Sequence, residues 1–386
     1  MLQIKIVIKF LIVAMVLHSC ITPYEPHINS KDINKFVVSG QVTDNSDQQT
    51  VSISKASSVG DPQYIPVSNC YVRILDDKGN EFLMQESSAG IYQVQIDRNY
   101  LTPGTSFKVV ILTSDGVNIE SDFDRMSECP VVDSVYYIRK EIGSDLEGQV
   151  TNGIQFYIDL DCGNINSHFF RWEAIETWEY HADYPKEWYY DGTVHHISPP
   201  DYSRKVCWST ELVRNIYTLS TLDLVENKYY MLPLHFVDNH TSRLMYGYSL
   251  LINQFAMSEA AYSYWDQLRI NSGEQGGLYE KQPLSIRGNL HNNTNPDQVV
   301  LGFFSASSVK SKRIFIRNVE NLTLDFTTYC TPDTLRVGGL HSIDPSEYPA
   351  FLAGNRFNFF YVQLSQYCVD CMSLGGTNIK PDFWPN

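Results

Sequence analysis

"CYVRILDDKGNEFLM" occupies residues 70–84. Cys70, Val72 and Ile74 recur at every second position, the period of a strand with one buried face. The polar run Asp76 to Asn80 follows, and a second apolar run leaves it. Strand, turn, strand is the signature of an antiparallel hairpin. The same pattern continues on both sides. Upstream, "KFVVSGQV" (35–42) puts Phe36, Val38 and Val42 on one face, and "QTVSISKA" (49–56) alternates through Val51 and Ile53. Downstream, "AGIYQVQI" (89–96) carries Ile91, Val94 and Ile96 in a less regular alternation. "GTSFKVVILTSDGVNIES" (104–121) reads as a strand, an Asp115-Gly116 turn and another strand. Short strands with frequent turns predict a β-sandwich of about 100 residues. Residues 35–130 are therefore assigned to an immunoglobulin-like or transthyretin-like sandwich, ending within "RMSECPVVDS" (125–134).

The remainder, 131–386, reads as a larger, mostly β domain. "GIQFYIDLDCGN" (153–164) sets Phe156, Ile158, Leu160 and Cys162 on one face. "HFFRWEAIETWEYHADY" (168–184) continues in strand style with aromatics on both faces. Further strands are expected in "KVCWSTELVRNIYTLST", "KYYMLPLHFV", "RLMYGYSLLINQFAM", "LSIRGNL", "VVLGFFSASSV" and "SKRIFIRN". Residues 185–206, with their prolines, glycine and histidines, read as a long loop. "SIDPSEYPAFLAGN" (342–355) reads as a short helix or turn. One segment changes period: Ala261, Tyr264, Trp265 and Leu268 follow helical spacing behind Ser258, a good N-cap. A helix is predicted over 259–270, ended by Gly273, Gly276 and Gly277.

The N-terminus, "MLQIKIVIKFLIVAMVLHSC", has Lys5 and Lys9 ahead of the apolar run Phe10–Leu17. It reads as an export signal over 1–19, too short for a spanning helix. Leu17, His18, Ser19 and Cys20 resemble a bacterial lipobox, with His18 an unusual occupant. Cys20 is the expected lipidation site, its acyl chains anchoring the protein. Residues 20–34, with two prolines and polar side chains, read as the lipidated tether. Cleavage leaves about 365 residues, enough for two domains. The net charge of −15 argues against nucleic acid as a partner. Aromatic residues make up 13%, with 25 tyrosines, which suits both strands and contact surfaces.

Beyond Cys20 there are seven cysteines, an odd number, so at least one thiol stays unpaired. Export favours disulfides over zinc or a cytosolic redox pair. The closing stretch "QYCVDCMSLGGTNIKPDFWPN" (366–386) has Cys368 and Cys371 three apart, but Gly375, Gly376, Pro381 and Pro385 forbid the helix a redox dithiol requires. Cys207, Cys330, Cys368 and Cys371 are the disulfide candidates, stapling the tail to the body. Three pairings are open. Phe383 and Trp384 are expected to pack on the second domain. Cys70 and Cys162 read as small buried side chains, with Cys129 open as a partner to one of them.

"FVVSGQVTD", Cys207-Trp208, "SEAAYSYWDQL", "QPLSIRGNLHN" with "VLGFFSAS", and "CVDCMSLGGTNIKPDFW" occur in this order. Together they resemble the Bacteroidota outer-membrane lipoprotein family catalogued as domain of unknown function 4249. Cys70, Cys129 and Cys162 depart from that pattern. The resemblance implies an outer-membrane location, cell-surface or periplasmic, and the company of TonB-dependent outer-membrane transporters. It implies no reaction.

Candidate chemistry is sparse. There is no Gly-x-Ser-x-Gly elbow, His-Glu-x-x-His, phosphate loop or dinucleotide fingerprint, so no cofactor and no enzymatic activity are expected. "DLDCGN" (159–164) lacks the oxygen ligands of a calcium loop. His181, His195 and His196 lie near Asp183, Glu187 and Asp191, but adjacent histidines on an extended chain point apart, and no metal is expected. On a strand, Glu173 and Glu179 share a face about 20 Å apart, with Glu176 on the other, too far for a glycosidase pair. Tyr184, Trp188, Tyr189 and Tyr190 are the expected contact surface for a ligand or partner. The expectation is a non-catalytic binding or accessory subunit of a TonB-dependent transporter, serving nutrient capture or uptake. A scaffold for envelope assembly without a soluble ligand, or an enzyme acting on glycan or peptide, are the alternatives.

Overall fold

The computed structural model describes residues 35–58, 62–143, 150–273, 286–330, 333–335, 339–354 and 361–385. Cys20 and the tether lie outside the described residues. The protein is mainly β. The hairpin expected within 70–84 is present. Tyr71–Asp76 pairs with Glu81–Leu83, with Ile74 opposite Phe82. Asp76 shapes its turn by accepting from the backbone N–H groups of Lys78 (3.0 Å) and Asn80 (2.8 Å), and Gly79 takes the positive φ the turn requires.

That hairpin belongs to one of two sheets that face each other as a sandwich. Its sheet also holds Ser106–Leu112, Asn118–Ser121 and Leu290–Asn292. The facing sheet starts with Phe36–Thr43 and Gln48–Lys55. Val38, Val42, Val51 and Ile53 from one side meet Val72, Ile74, Phe107, Val109 and Ile111 from the other, all fully buried. Each such side chain contributes roughly 1.5–3 kcal/mol on burial.

The sandwich is not closed by residues 35–130 alone. The 16-residue strand Leu301–Ile316 runs through both halves of the protein. Its first part, Leu301–Ser307, pairs parallel with Phe36–Thr43 and buries Phe304 and Ala306 in the sandwich core. Its second part, Ser308–Ile316, pairs antiparallel with Gly247–Ala256. The division expected at residue 130 therefore cuts a continuous sheet of order 206–212, 169–181, 247–256, 301–316, 36–43, 48–55, 91–95 and 85–88. A three-stranded sheet of Ser134–Gly143, Val150–Asp161 and Lys228–Asp238 covers its C-terminal half. Ile154, Phe156, Ile158 and Leu160 pack there against Phe170, Trp172, Tyr248, Leu250 and Ile252.

The helix spans Glu259–Gly273, three residues longer than predicted, and Ser258 caps it by accepting from the Ala261 N–H at 3.1 Å. The segment 185–206, read as a loop, is instead largely a hairpin of Lys186–Tyr190 and Val194–Asp201. Pro199 and Pro200 are tolerated because Val194–Asp201 is the edge strand of its sheet, where no ladder donor is needed. Within 342–354, Ser342 ends one tight turn, Pro345–Glu347 forms another, and Ala350–Gly354 is a strand.

Candidate functional site

Strand alternation divides the expected contact residues. Lys186–Tyr190 pairs with Val194–Asp201 on one side and Ala350–Gly354 on the other. Tyr190 is buried among Leu340, Ile343, Ala350 and Leu352, its hydroxyl 3.3 Å from His341 Nδ1. Trp188 packs at the edge of that cluster and stacks on His196 at 4.0 Å. Tyr189, on the other face, stacks on His195 at 4.7 Å. Tyr184 lies ahead of the strand and is exposed. The four rings thus do not make one surface: Tyr190 is core, and Trp188 and Tyr189 are separated by the sheet. His195 and His196 bond to Asp191 (2.8 Å) and Glu187 (3.3 Å) respectively. Among the described residues no group of three or more His, Cys, Asp or Glu is placed to hold a metal.

The C-terminal tail lies against this hairpin. Its cysteines are joined as Cys207–Cys371 and Cys330–Cys368, while Cys70, Cys129 and Cys162 are unpaired. Burial pushes the Cys129 and Cys162 thiols up to about 11 and about 12, so neither is reactive. Between the tail cysteines, Asp370 is buried, and its Oδ2 accepts from Lys186 Nζ (3.1 Å) and Arg204 Nη1 (2.7 Å). Burial alone would raise its carboxyl, but the two cations and the Met372 N–H hold it below the usual range. Sequence reading missed Asp370, because its partners lie 166 and 184 positions away. The Cys-x-Asp-Cys spacing was the only available signal.

The rest of the tail is fitted closely. Tyr180 donates to the Cys371 carbonyl and accepts from the Gly376 N–H, both at 3.0 Å. A Cβ on Gly376 would lie 2.6 Å from the Trp208 carbonyl oxygen, which explains the glycine. Trp208 and Thr377 exchange two backbone hydrogen bonds. Trp384 is buried edge-on to Trp208 and Phe315, and its Nε1 donates to Glu179 at 3.2 Å. Phe383 keeps an exposed edge beneath the Arg313 guanidinium, 3.6 Å from its ring centre.

Two buried carboxylates organise the body. Glu176 accepts from Arg243 Nε (3.1 Å) and the Tyr248 hydroxyl (3.0 Å), with His235 Nε2 at 3.2 Å. Burial opposes its ionisation, yet these partners keep its carboxyl below the usual range. Glu173 and Glu179 sit instead beside Arg171 (3.7 Å) and His181 (2.7 Å), so the three glutamates serve separate contacts. Asp124 joins the sandwich to the helix and the long strand. It accepts from the Ser258 hydroxyl and, at 2.7 Å, from the Ala306 N–H. Burial pushes its carboxyl up to about 6.

Comparison with solved structures adds little. The chain is similar to trypsin-activated alpha-2-macroglobulin from Escherichia coli, with 8% identity and a TM-score of 0.20, covering 61% of this chain and 15% of that one. For the native conformation of E. coli alpha-2-macroglobulin the values are 9%, 0.18, 59% and 13%. At such scores the likeness carries no argument, and this chain spans only a small part of those proteins. No curated protein matches. A family model does match, over residues 21–313. The stapled tail lies beyond that stretch, which covers both sheets of the sandwich, the helix and most of the long strand. On that match, the chain belongs to the family described as Domain of unknown function (DUF4249).

Proposed function

We propose that the protein is an exported, lipid-anchored binding subunit that works beside a TonB-dependent outer-membrane transporter. The observation that carries the exported location is the pair of disulfides, Cys207–Cys371 and Cys330–Cys368. Such bonds persist in oxidising compartments and are rare in the cytosol. They agree with the export signal over 1–19 and with lipid attachment at Cys20. No helix among the described residues is long and apolar enough to cross a membrane, so in this reading the acyl chains supply the anchor. The tether 20–34 then spaces the sandwich, which begins at Phe36, from the bilayer. Transport by the partner barrel leaves this chain the task of binding, for which a rigid β scaffold with exposed aromatic and hydroxyl groups is suited.

Two measurements test the reading. Cys20→Ser should move the protein from the membrane fraction to the soluble fraction. Affinity purification of the lipidated protein should bring down a TonB-dependent barrel. Repeated purification without any outer-membrane barrel would refute the accessory role.

A further inference from the structure

The outward face of the sandwich sheet carries two rows of side chains fixed by register. Ser39 stands beside Ser52 and Phe303, and Gln41 beside Thr50 and Ser305. Their neighbours Val38, Val42, Val51, Phe304 and Ala306 point the other way, into the core. The helix Glu259–Gly273 walls this face. Tyr264 stacks on Phe303 with ring centres 5.0 Å apart, and Trp265 stands edge-on to Tyr264 at 5.9 Å. Floor and wall enclose a cleft of about 330 Å³. That lies at the small end of the range for ligand sites, about 300–1,000 Å³.

Beneath the wall lies a buried cation. Arg171 is 7% exposed, its guanidinium between the rings of Phe255 (4.2 Å) and Trp265 (4.4 Å). Its Nε has no hydrogen-bond partner among the described residues. A buried arginine with an unmade hydrogen bond is costly to keep. Two consequences follow from its position. The cation fixes one face of the Trp265 indole. Its Nη2 donates to Gln41 Oε1 at 3.4 Å. That bond orients the amide: Oε1 turns toward Arg171, and Gln41 keeps its two amide N–H donors and one oxygen lone pair for the cleft it lines.

The lining is aromatic rings, hydroxyls and one oriented amide, with no charged side chain. Behind the wall the Arg171 guanidinium is answered by Glu173 at 3.7 Å, so neither an anion nor a cation finds an unanswered charge in the cleft. A polyhydroxylated, uncharged ligand matches each part. The C–H face of a sugar ring suits an indole or phenol wall, and its hydroxyls both donate to and accept from Ser, Thr and Gln. We propose that this face binds an uncharged saccharide, with a ring against the Tyr264–Trp265 wall and its hydroxyls on Gln41 and the hydroxyl side chains of the floor. The assignment rests on the binding-subunit reading above and names its ligand class.

The test uses the full mature lipoprotein in detergent. Isothermal titration calorimetry is run against neutral gluco-, manno-, galacto- and xylo-oligosaccharides and against acidic oligosaccharides. At least one neutral saccharide should bind saturably. Gln41→Ala removes the oriented amide, and Ser52→Trp fills the floor from an outward position. Each should weaken binding about tenfold or more. Melting temperature and circular dichroism of both variants confirm that they are folded. The assignment is overturned if no neutral saccharide binds, if only acidic saccharides bind, or if folded Gln41→Ala and Ser52→Trp bind like the wild type. A co-purified barrel without saccharide binding overturns the ligand class alone. Saccharide binding without a co-purified barrel overturns the transporter partnership alone.

Discussion

Removing the two disulfides separately should have unequal effects. Cys207 and Cys371 are separated by 164 positions, and Cys330 and Cys368 by 38. In the chain-entropy model the stabilisation grows with the logarithm of loop length. The longer loop gives about 5 kcal/mol and the shorter about 4 kcal/mol at 25 °C. The short loop is nested in the long one. Closing it first shortens the outer loop to roughly 130 residues, which leaves the outer term near 5 kcal/mol. The perturbations are Cys207→Ala with Cys371→Ala, and Cys330→Ala with Cys368→Ala. All four side chains are buried, so the packing lost is similar in the two variants and the difference reports the loops. Urea unfolding without reductant is the assay. The first variant should lose about 1 kcal/mol more than the second, and both should show a larger m-value from a more expanded unfolded state. If the Cys330–Cys368 variant loses as much or more, the loop argument is wrong. If neither loses more than about 1 kcal/mol, the tail is not held by its cross-links.

Three further perturbations test the buried contacts. Asp124 has its carboxyl raised to about 6 by burial, above the ordinary unfolded value, so it favours the protonated native state. Its contribution is fully present below the unfolded pKa and is lost as pH rises through about 6, up to about 3 kcal/mol. The urea midpoint of Asp124→Asn, measured from pH 4 to 7.5, should therefore gain on that of the wild type as pH rises. Parallel profiles would contradict this. Tyr248→Phe removes a buried donor to Glu176 and should cost about 1.5–3 kcal/mol of unfolding free energy. An unchanged urea midpoint would show that Arg243 and His235 suffice. Gly376→Ala drives a methyl toward Trp208 and Tyr180 and should cost about 1–3 kcal/mol. Hydrogen exchange over residues 372–385 should speed up, and unchanged protection would refute the close fit.

The strands were readable because one face of each is buried, so alternation survives in the text. Phe36, Val38 and Val42, or Phe156, Ile158 and Leu160, announce the core directly. The helix was readable from its cap at Ser258 and its changed period. What stayed hidden was long-range. The parallel pairing of Phe36–Thr43 with Leu301–Ser307 leaves no local trace, and it is this pairing that merges the two halves. The hairpin over 186–201 was masked by Gly192, Pro199 and Pro200, residues that an edge strand and its turn accept. The same misreading made Tyr190 look like a contact residue, although its face of the strand is core. Asp370 and Glu176 were invisible as clamps because their cationic partners come from distant strands and turns. The cleft beside Trp265 draws on four segments, each of which alone reads as ordinary strand or helix surface.

The central claim, a lipid-anchored subunit seated beside a transporter, is tested most directly by cross-linking in intact cells. A photoreactive residue placed at the exposed Tyr184 or Tyr202 of the full-length protein, followed by mass spectrometry of the adducts, reads the partner without extraction. The expected result is a reproducible adduct with a TonB-dependent outer-membrane barrel, lost with Cys20→Ser. Adducts confined to other proteins, or a barrel adduct equally abundant without Cys20, would contradict the account.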